Sequence, residues 1–187
     1  MKGAARIPLL SVEEAKLAAE QIGLPAQMAE LSVFRVLLRH PELCKAIFGL
    51  LSGLLFRGKL DARLRELVIL RIGWATKSEY EWTQHWRVAS QLGVSEADML
   101  AVRDWRQSGR FGAAEHAVLA ATDETLEQGA ISPETWRACE TELGSHENLL
   151  ELVAAIGNWR LFSSLLRSLE IPLEDGVSSW PPDGVRP

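Results

Sequence analysis

The chain has 187 residues, of which 47% are hydrophobic and 24% charged, and it carries a formal net charge of −5. That length supports one well-buried domain and leaves little room for a second core. The acidic balance argues against nucleic acid as a partner: Arg63, Arg65 and Arg71 are interleaved with acidic residues, so no continuous basic stripe is available to neutralise phosphates.

Taken in chain order, the sequence reads as helix punctuation from end to end. Met1 to Leu10 carries two positive charges but no apolar core of signal-peptide length. Ser11-Val12-Glu13-Glu14 has the pattern of a capping box, and Gly23 with Pro25 closes that first helix. A second helix is predicted from Ala26 to His40. Pro41 stops it and opens a third, which ends at Gly58. Asp61 caps a fourth, strongly apolar helix through Thr76, and Ser78-Glu79-Tyr80-Glu81 opens a fifth that stops at Gly93. Ser95 caps a sixth to Gln107. The seventh spans Ala113 to Gln128, the eighth Ser132 to Gly144, and a long ninth runs from Ser145 to Pro172. No convincing strand pattern occurs, so the fold class is all-α. The expected organisation is one helical domain over 1–171, with residues 172–187, rich in Pro and Gly, as an extended C-terminal tail.

The longest apolar stretch, Phe48 to Phe56, falls well short of the roughly 20 residues that cross a bilayer, so no membrane is expected. Two cysteines, Cys44 and Cys139, are too few for a disulfide framework and fit a reducing compartment, which makes the cytosol the expected location. His40, His85, His116 and His146 show no metal-ligand spacing, and Gly-rich phosphate loops and nucleophile elbows are absent.

The polar residues that stand out are Glu66, in the middle of the apolar fourth helix, and Glu81 and His85, four apart on one face of the fifth. With the turn centred near Thr76, Glu66 precedes it by ten residues and His85 follows it by nine, so in an antiparallel pair each lies roughly 14 Å along its helix. A carboxylate against an imidazole in a water-poor place raises the imidazole pKa and fixes its tautomer, the preparation general acid/base chemistry needs. Each residue also has a structural reading. Ser78 and Glu81 have capping-box spacing, a lone helical His is commonly a satisfied core residue, and Trp74, Trp82 and Trp86 are spaced as core. Glu66 needs a partner on either reading, because a buried carboxylate costs several kcal/mol unless paired. A weak internal echo also appears: Glu66-Leu67-Val68 with Trp74 is matched by Glu151-Leu152-Val153 with Trp159, and the second copy has no counterpart of His85.

At these residues the chain resembles the carboxymuconolactone decarboxylase family, which includes alkyl hydroperoxidase D. The resemblance is carried by His40-Pro41-Glu42-Leu43, by Leu64-Arg65-Glu66-Leu67-Val68-Ile69-Leu70-Arg71, and by Tyr80-Glu81-Trp82-Thr83-Gln84-His85 with Ala89 and Gly93. Ala121 to Glu124 and Ile131 to Trp136 are similar to the long, cysteine-free members, so the likeness covers about Ile7 to Leu173. It implies an all-α fold around a central antiparallel helical hairpin. It also implies a homo-oligomer, commonly a trimer or hexamer, with sites near subunit contacts.

The family's peroxidase branch carries a Glu, a C-x-x-C pair and a His. Glu66 and His85 match the Glu and the His, while the cysteine positions fall on Ser78 and Glu81. A hydroxyl and a carboxylate cannot form a disulfide or attack a peroxide as a thiolate does. The resemblance therefore implies the decarboxylase-like branch, whose named reaction removes CO2 from a carboxylated unsaturated lactone and needs no metal or organic cofactor. Glu66, Glu81 and His85 are the expected catalytic residues; Ser78, Tyr80 and Arg71 are the expected contacts of a small-molecule substrate, with Arg71 or Arg87 expected to clamp a carboxylate. The alternatives are a non-catalytic helical oligomer with a structural Glu–His pair and, last, a thiol peroxidase using Cys44 or Cys139.

Overall fold

The computed structural model describes residues 5–187, so Met1 to Ala4 of the N-terminal segment and of the expected domain lie outside the described residues. Among the described residues every regular element is helical. The described chain forms two compact units, residues 5–57 with Ser164–Val177, and Gly58–Ser163 with Ser178–Pro187.

In the first unit, α1 (Val12–Ile22) starts at Ser11 through the predicted capping box and ends at Gly23, whose φ of 71° is the left-handed conformation a glycine adopts without a Cβ clash. The predicted second helix is broken. A 3-10 turn over Met28–Glu30 precedes α2 (Ser32–Leu37), with Leu31 extended between them. The break has a local cause: the Ser32 amide, which a continuous helix would keep for itself, donates to Glu174 Oε1 at 2.7 Å. α3 (Pro41–Phe56) follows Pro41 as expected. Phe34 meets Phe48 edge to face at 5.9 Å, and Cys44 is fully buried.

The second unit is built on α4 (Ala62–Ala75) and α5 (Glu79–Gln91). Leu67, Val68, Ile69, Leu70 and Ile72 are all completely buried, each worth roughly 1.5–3 kcal/mol of burial, so α4 is the central helix the sequence predicted. Its C-terminal turn is a Schellman motif. Ser78 N–H donates to Gly73 O at 2.8 Å and Lys77 N–H to Trp74 O at 3.1 Å, with Lys77 in the left-handed region at φ 58°. Around this hairpin lie α6 (Glu96–Ala101), α7 (Ala113–Gln128), α8 (Pro133–Leu143) and α9 (His146–Ser168), the last running into the first unit at Ser164. α6 is shorter than predicted because the chain tightens into a 3-10 turn over Val102–Asp104.

By length and composition alone α9 could cross a membrane, at a mean hydropathy of 1.3 over its most apolar window. Half of that window is buried inside the protein, with Leu149, Leu152, Ile156 and Trp159 among the core residues, as in the core helix of a globular fold. Residues 178–187 pack on the second unit. Trp180 is buried beside Trp74 and Trp82, at 6.0 and 6.2 Å between ring centroids. The Trp82 indole donates to Pro181 O at 2.8 Å. Arg103 lies over the Trp74 ring at 4.6 Å and holds Asp183 through two bonds of 2.7 and 2.8 Å.

Candidate active site

The hairpin brings together the residues its register predicted. Glu66 is completely buried on α4, and its Oε2 lies 2.7 Å from His85 Nδ1 on α5. Its other oxygen, Oε1, accepts from Nε and Nη2 of the neighbouring Arg65, both at 3.1 Å. Glu66 thus receives the partners its burial demands, one on each oxygen. His85 is bonded on both sides. The Trp159 indole Nε1–H, from α9, donates to His85 Nε2 at 3.0 Å, with the two rings edge to face.

Glu81 completes the cluster from one turn below. Its Oε2 stands 3.7 Å from His85 Nε2, beyond hydrogen-bond range, and is buried without a hydrogen-bond partner. Ser78 Oγ, on the same helix stripe, is also buried and unpartnered. The capping-box reading of these two residues is therefore not what the structure shows, since Ser78 makes no side-chain bond at the N-terminus of α5. Two polar atoms stand unsatisfied at the positions where the peroxidase branch carries its thiols.

Electrostatics follow from this burial. Desolvation pushes the Glu81 carboxyl up to about 7, against the pull of His85 and with a contribution from Glu66. Burial alone would lower the His85 pKa, but the charge and hydrogen bond of Glu66, with Glu81 adding, outweigh it and hold the imidazole above its ordinary value. A carboxyl raised to about 7 and an imidazole held above its ordinary value thus stand 3.7 Å apart.

Tyr80 is buried in the first turn of α5, but successive helical residues point about 100° apart, so it does not share the stripe of Ser78, Glu81 and His85. Arg71 requires a correction. It was expected to clamp a substrate carboxylate, but the structure commits it elsewhere. Its Nε and Nη2 pair with the two Asp123 oxygens at 2.6 and 3.1 Å, and its Nη1 donates to the Val102 and Arg103 carbonyls. Asp123 also accepts from Trp105 at 3.0 Å and Arg106 at 2.7 Å, which makes this a structural knot between α4, α7 and the chain after α6.

Sequence reasoning missed Arg65 and Trp159 as members of the site. Signals existed for both: Arg65 is part of the conspicuous R-E-L run, and Trp159 is the tryptophan of the internal echo. The echo's other residue does something different. Glu151 Oε2 accepts from the Lys59 and Leu60 amides at 2.6 and 2.7 Å, so the second copy supplies a turn anchor and an indole, and no second site. No group of three or more His, Cys, Asp or Glu among the described residues is arranged to hold a metal ion.

The all-helical arrangement is that of alkyl hydroperoxidase D-like proteins. It matches a peroxidase-related protein from Ralstonia eutropha JMP134 with a TM-score of 0.75 at 14% identity, covering 94% of this chain and 95% of that one. It also matches the debrominase Bmp8, solved in complex with 2,3,4-tribromopyrrole, with a TM-score of 0.71 at 18% identity over 90% and 91% of the two chains. These likenesses show the fold. At the level of sequence, residues 41–124 match the carboxymuconolactone decarboxylase family. The uncharacterized protein YnjA of Escherichia coli K12 is 34% identical over 124 residues, a match spanning 63% of this chain and 65% of YnjA's length.

Proposed function

We propose that this protein is a cofactor-independent acid/base enzyme that decarboxylates or isomerises a small carboxylated or lactone-type metabolite, using Glu81, His85 and Glu66. The observation that carries the reading is Glu81 Oε2, a buried oxygen with no hydrogen-bond partner, 3.7 Å from an imidazole nitrogen that Glu66 orients from the other side. A carboxyl group poised near neutrality can give up a proton in one step and recover it in the next.

In the decarboxylation, the bond between the ring carbon and the departing carboxylate breaks, and its electron pair passes into the conjugated lactone carbonyl. CO2 leaves. Glu81 delivers its proton to the resulting dienolate carbon, and the Glu81 carboxylate regains a proton by way of His85, whose side chain keeps 12% of its surface accessible. Isomerisation uses the same proton in both directions, with no carbon lost. Neither Cys44 nor Cys139 takes part: both are fully buried, and burial pushes both thiols up to about 11.

The test is a panel of carboxylated unsaturated lactones, followed by CO2 release and by deuterium incorporation from solvent. Wild-type turnover is expected on at least one of them, with H85A and E81Q each slower by about 10²–10⁴-fold. Equal rates in wild type and both variants would end the catalytic reading. A non-catalytic reading draws on a different observation, the double bonding of His85 to Glu66 and Trp159. It requires H85A to lose much stability and no small carboxylate or lactone to shift the thermal melt of the wild type.

A further inference from the structure

We propose that Trp159 is a positioning residue that decides which of His85 and Glu81 holds the proton they share. An indole N–H can only donate. Its 3.0 Å bond to His85 Nε2 therefore requires a lone pair there, which leaves the imidazole proton on Nδ1, donated to Glu66 Oε2 at 2.7 Å. The same Nε2 lies 3.7 Å from the unpartnered Glu81 Oε2. A proton moved from Glu81 to Nε2 makes an imidazolium–carboxylate pair, and the indole must then withdraw, because two N–H groups cannot face each other. The site thus has two arrangements. In one, neutral His85 accepts from Trp159 and Glu81 is an un-ionised acid; in the other, His85 is cationic against ionised Glu81 and the Trp159 bond is broken.

Trp159 favours the first arrangement. The groups facing the imidazole are Glu66 and Arg65 from α4, Glu81 from α5 and the indole itself from α9. Glu66 and Glu81 favour the cation, while Arg65 and Trp159 oppose it. The inference deepens the proposed acid/base function and rests on it for its catalytic meaning, but the resting place of the proton is measurable without turnover.

Nitrogen-15 NMR of the imidazole and the infrared carbonyl stretch of an un-ionised carboxyl, assigned by its loss in E81Q, read the two halves separately. Wild type near neutral pH is expected to show the Nδ1–H tautomer of His85 and the Glu81 acid band. W159F is expected to lose the band and to raise the midpoint of the His85 titration by about one pH unit, tenfold in the proton equilibrium. An Nε2–H tautomer in wild type, or a W159F spectrum unchanged in both signals, overturns the proposal. Should the spectra behave as expected while E81Q and H85A keep wild-type turnover, the catalytic reading alone fails.

A separate observation on α3 carries a second inference. This helix is apolar almost throughout, yet only Cys44, Leu51 and Leu54 are buried. Leu50 is 48% exposed and Phe56 65%. Two glycines sit on the exposed side with open space around them: nothing lies within 4 Å of where a Gly49 Cβ would be, and at Gly53 only the Arg57 guanidinium, 3.9 Å away. A glycine inside a helix costs roughly 0.5–1 kcal/mol against alanine, and no contact among the described residues explains either one.

We infer that α3 packs antiparallel against the α3 of a second copy, about a two-fold axis passing between Gly49 and Leu50. At 100° per residue Glu42, Ala46, Gly49, Leu50, Gly53, Phe56 and Arg57 lie on one face. Reversal about that axis sets Glu42 opposite Arg57 and Ala46 opposite Gly53. Charge meets opposite charge, and small meets small where the backbones come closest.

Sedimentation tests this pairing. Wild type is expected to associate with even-numbered stoichiometry. E42R and R57E, each creating two like-charge contacts across the axis, are expected to weaken association at least tenfold, and the double variant E42R/R57E to restore it. Oxidised A46C/G53C is expected to form a covalent dimer. A monomeric wild type at micromolar concentration, or single charge swaps that leave association unchanged, overturns the inference.

Discussion

Gly73 stands directly against the backbone of Trp82: a Cβ at Gly73 would lie 2.9 Å from the Trp82 nitrogen, 3.2 Å from its Cα and 3.4 Å from the Glu81 Cβ. The α4–α5 hairpin closes this tightly because the helix carries a hydrogen atom where other residues carry a methyl. G73A must therefore move backbone, which does not yield as a flexible side chain would. The expected outcome is a loss of about 1–3 kcal/mol in a denaturant melt, together with a displaced Glu81. An unchanged melt would overturn this close docking of the two helices.

The pH dependence of stability follows from Glu81 and His85, and both act in the same direction. The unfolded chain releases the Glu81 proton near 4.5, the folded chain near 7, so between these values the native state binds a proton that the unfolded state has lost. Stability from this source falls as pH rises through that window, by on the order of 3 kcal/mol in all. His85, with its folded pKa raised, contributes stability that is complete below its ordinary value and is lost as pH rises through the folded one. Thermal melts stepped from about pH 5 to pH 8 should show a declining midpoint, and E81Q should flatten the decline. A midpoint rising across that range contradicts the geometry.

Asp123 is the structural counterpart of the site. Its buried carboxylate accepts from Arg71, Trp105 and Arg106. D123A leaves those donors without an acceptor and is expected to cost about 3–5 kcal/mol. Because Arg71 belongs to this knot, the loss should appear in the melt and leave the infrared signature of Glu81 in place.

Cys44 and Cys139 should resist alkylation in the native protein at neutral pH and react promptly once it is denatured, since both thiols are buried and held far from their thiolate form. C44A/C139A should turn over every substrate the wild type does. Loss of activity in that variant would return the thiol reading to consideration.

Much of the site was legible in the sequence because a helical hairpin obeys simple arithmetic. A turn near Thr76 and a fixed rise per residue suffice to set Glu66 beside His85, and their observed separation is 2.7 Å. What the sequence hid depends on contacts without a period. Trp159 reaches His85 from a helix more than seventy positions away, and nothing in the spacing of α9 marks that one indole among its apolar residues. Arg71 was misplaced for a related reason. Its position on α4 is readable, but the acceptor that claims it, Asp123, comes from α7. The broken second helix has the same origin, since Glu174 captures the Ser32 amide from far down the chain. Local signals predict where an element begins; distant ones decide which groups it must surrender.

Trp82 faces two ways. It neighbours Glu81 on the helix that bears the acid and the imidazole, and its indole ties down Pro181 while Trp180 N–H donates to Thr83 Oγ1 at 3.2 Å. The last ten residues, Ser178–Pro187, therefore act as a splint on α5. Trimming them, or fusing a tag after them, manipulates the helix that carries Glu81 and His85 from behind.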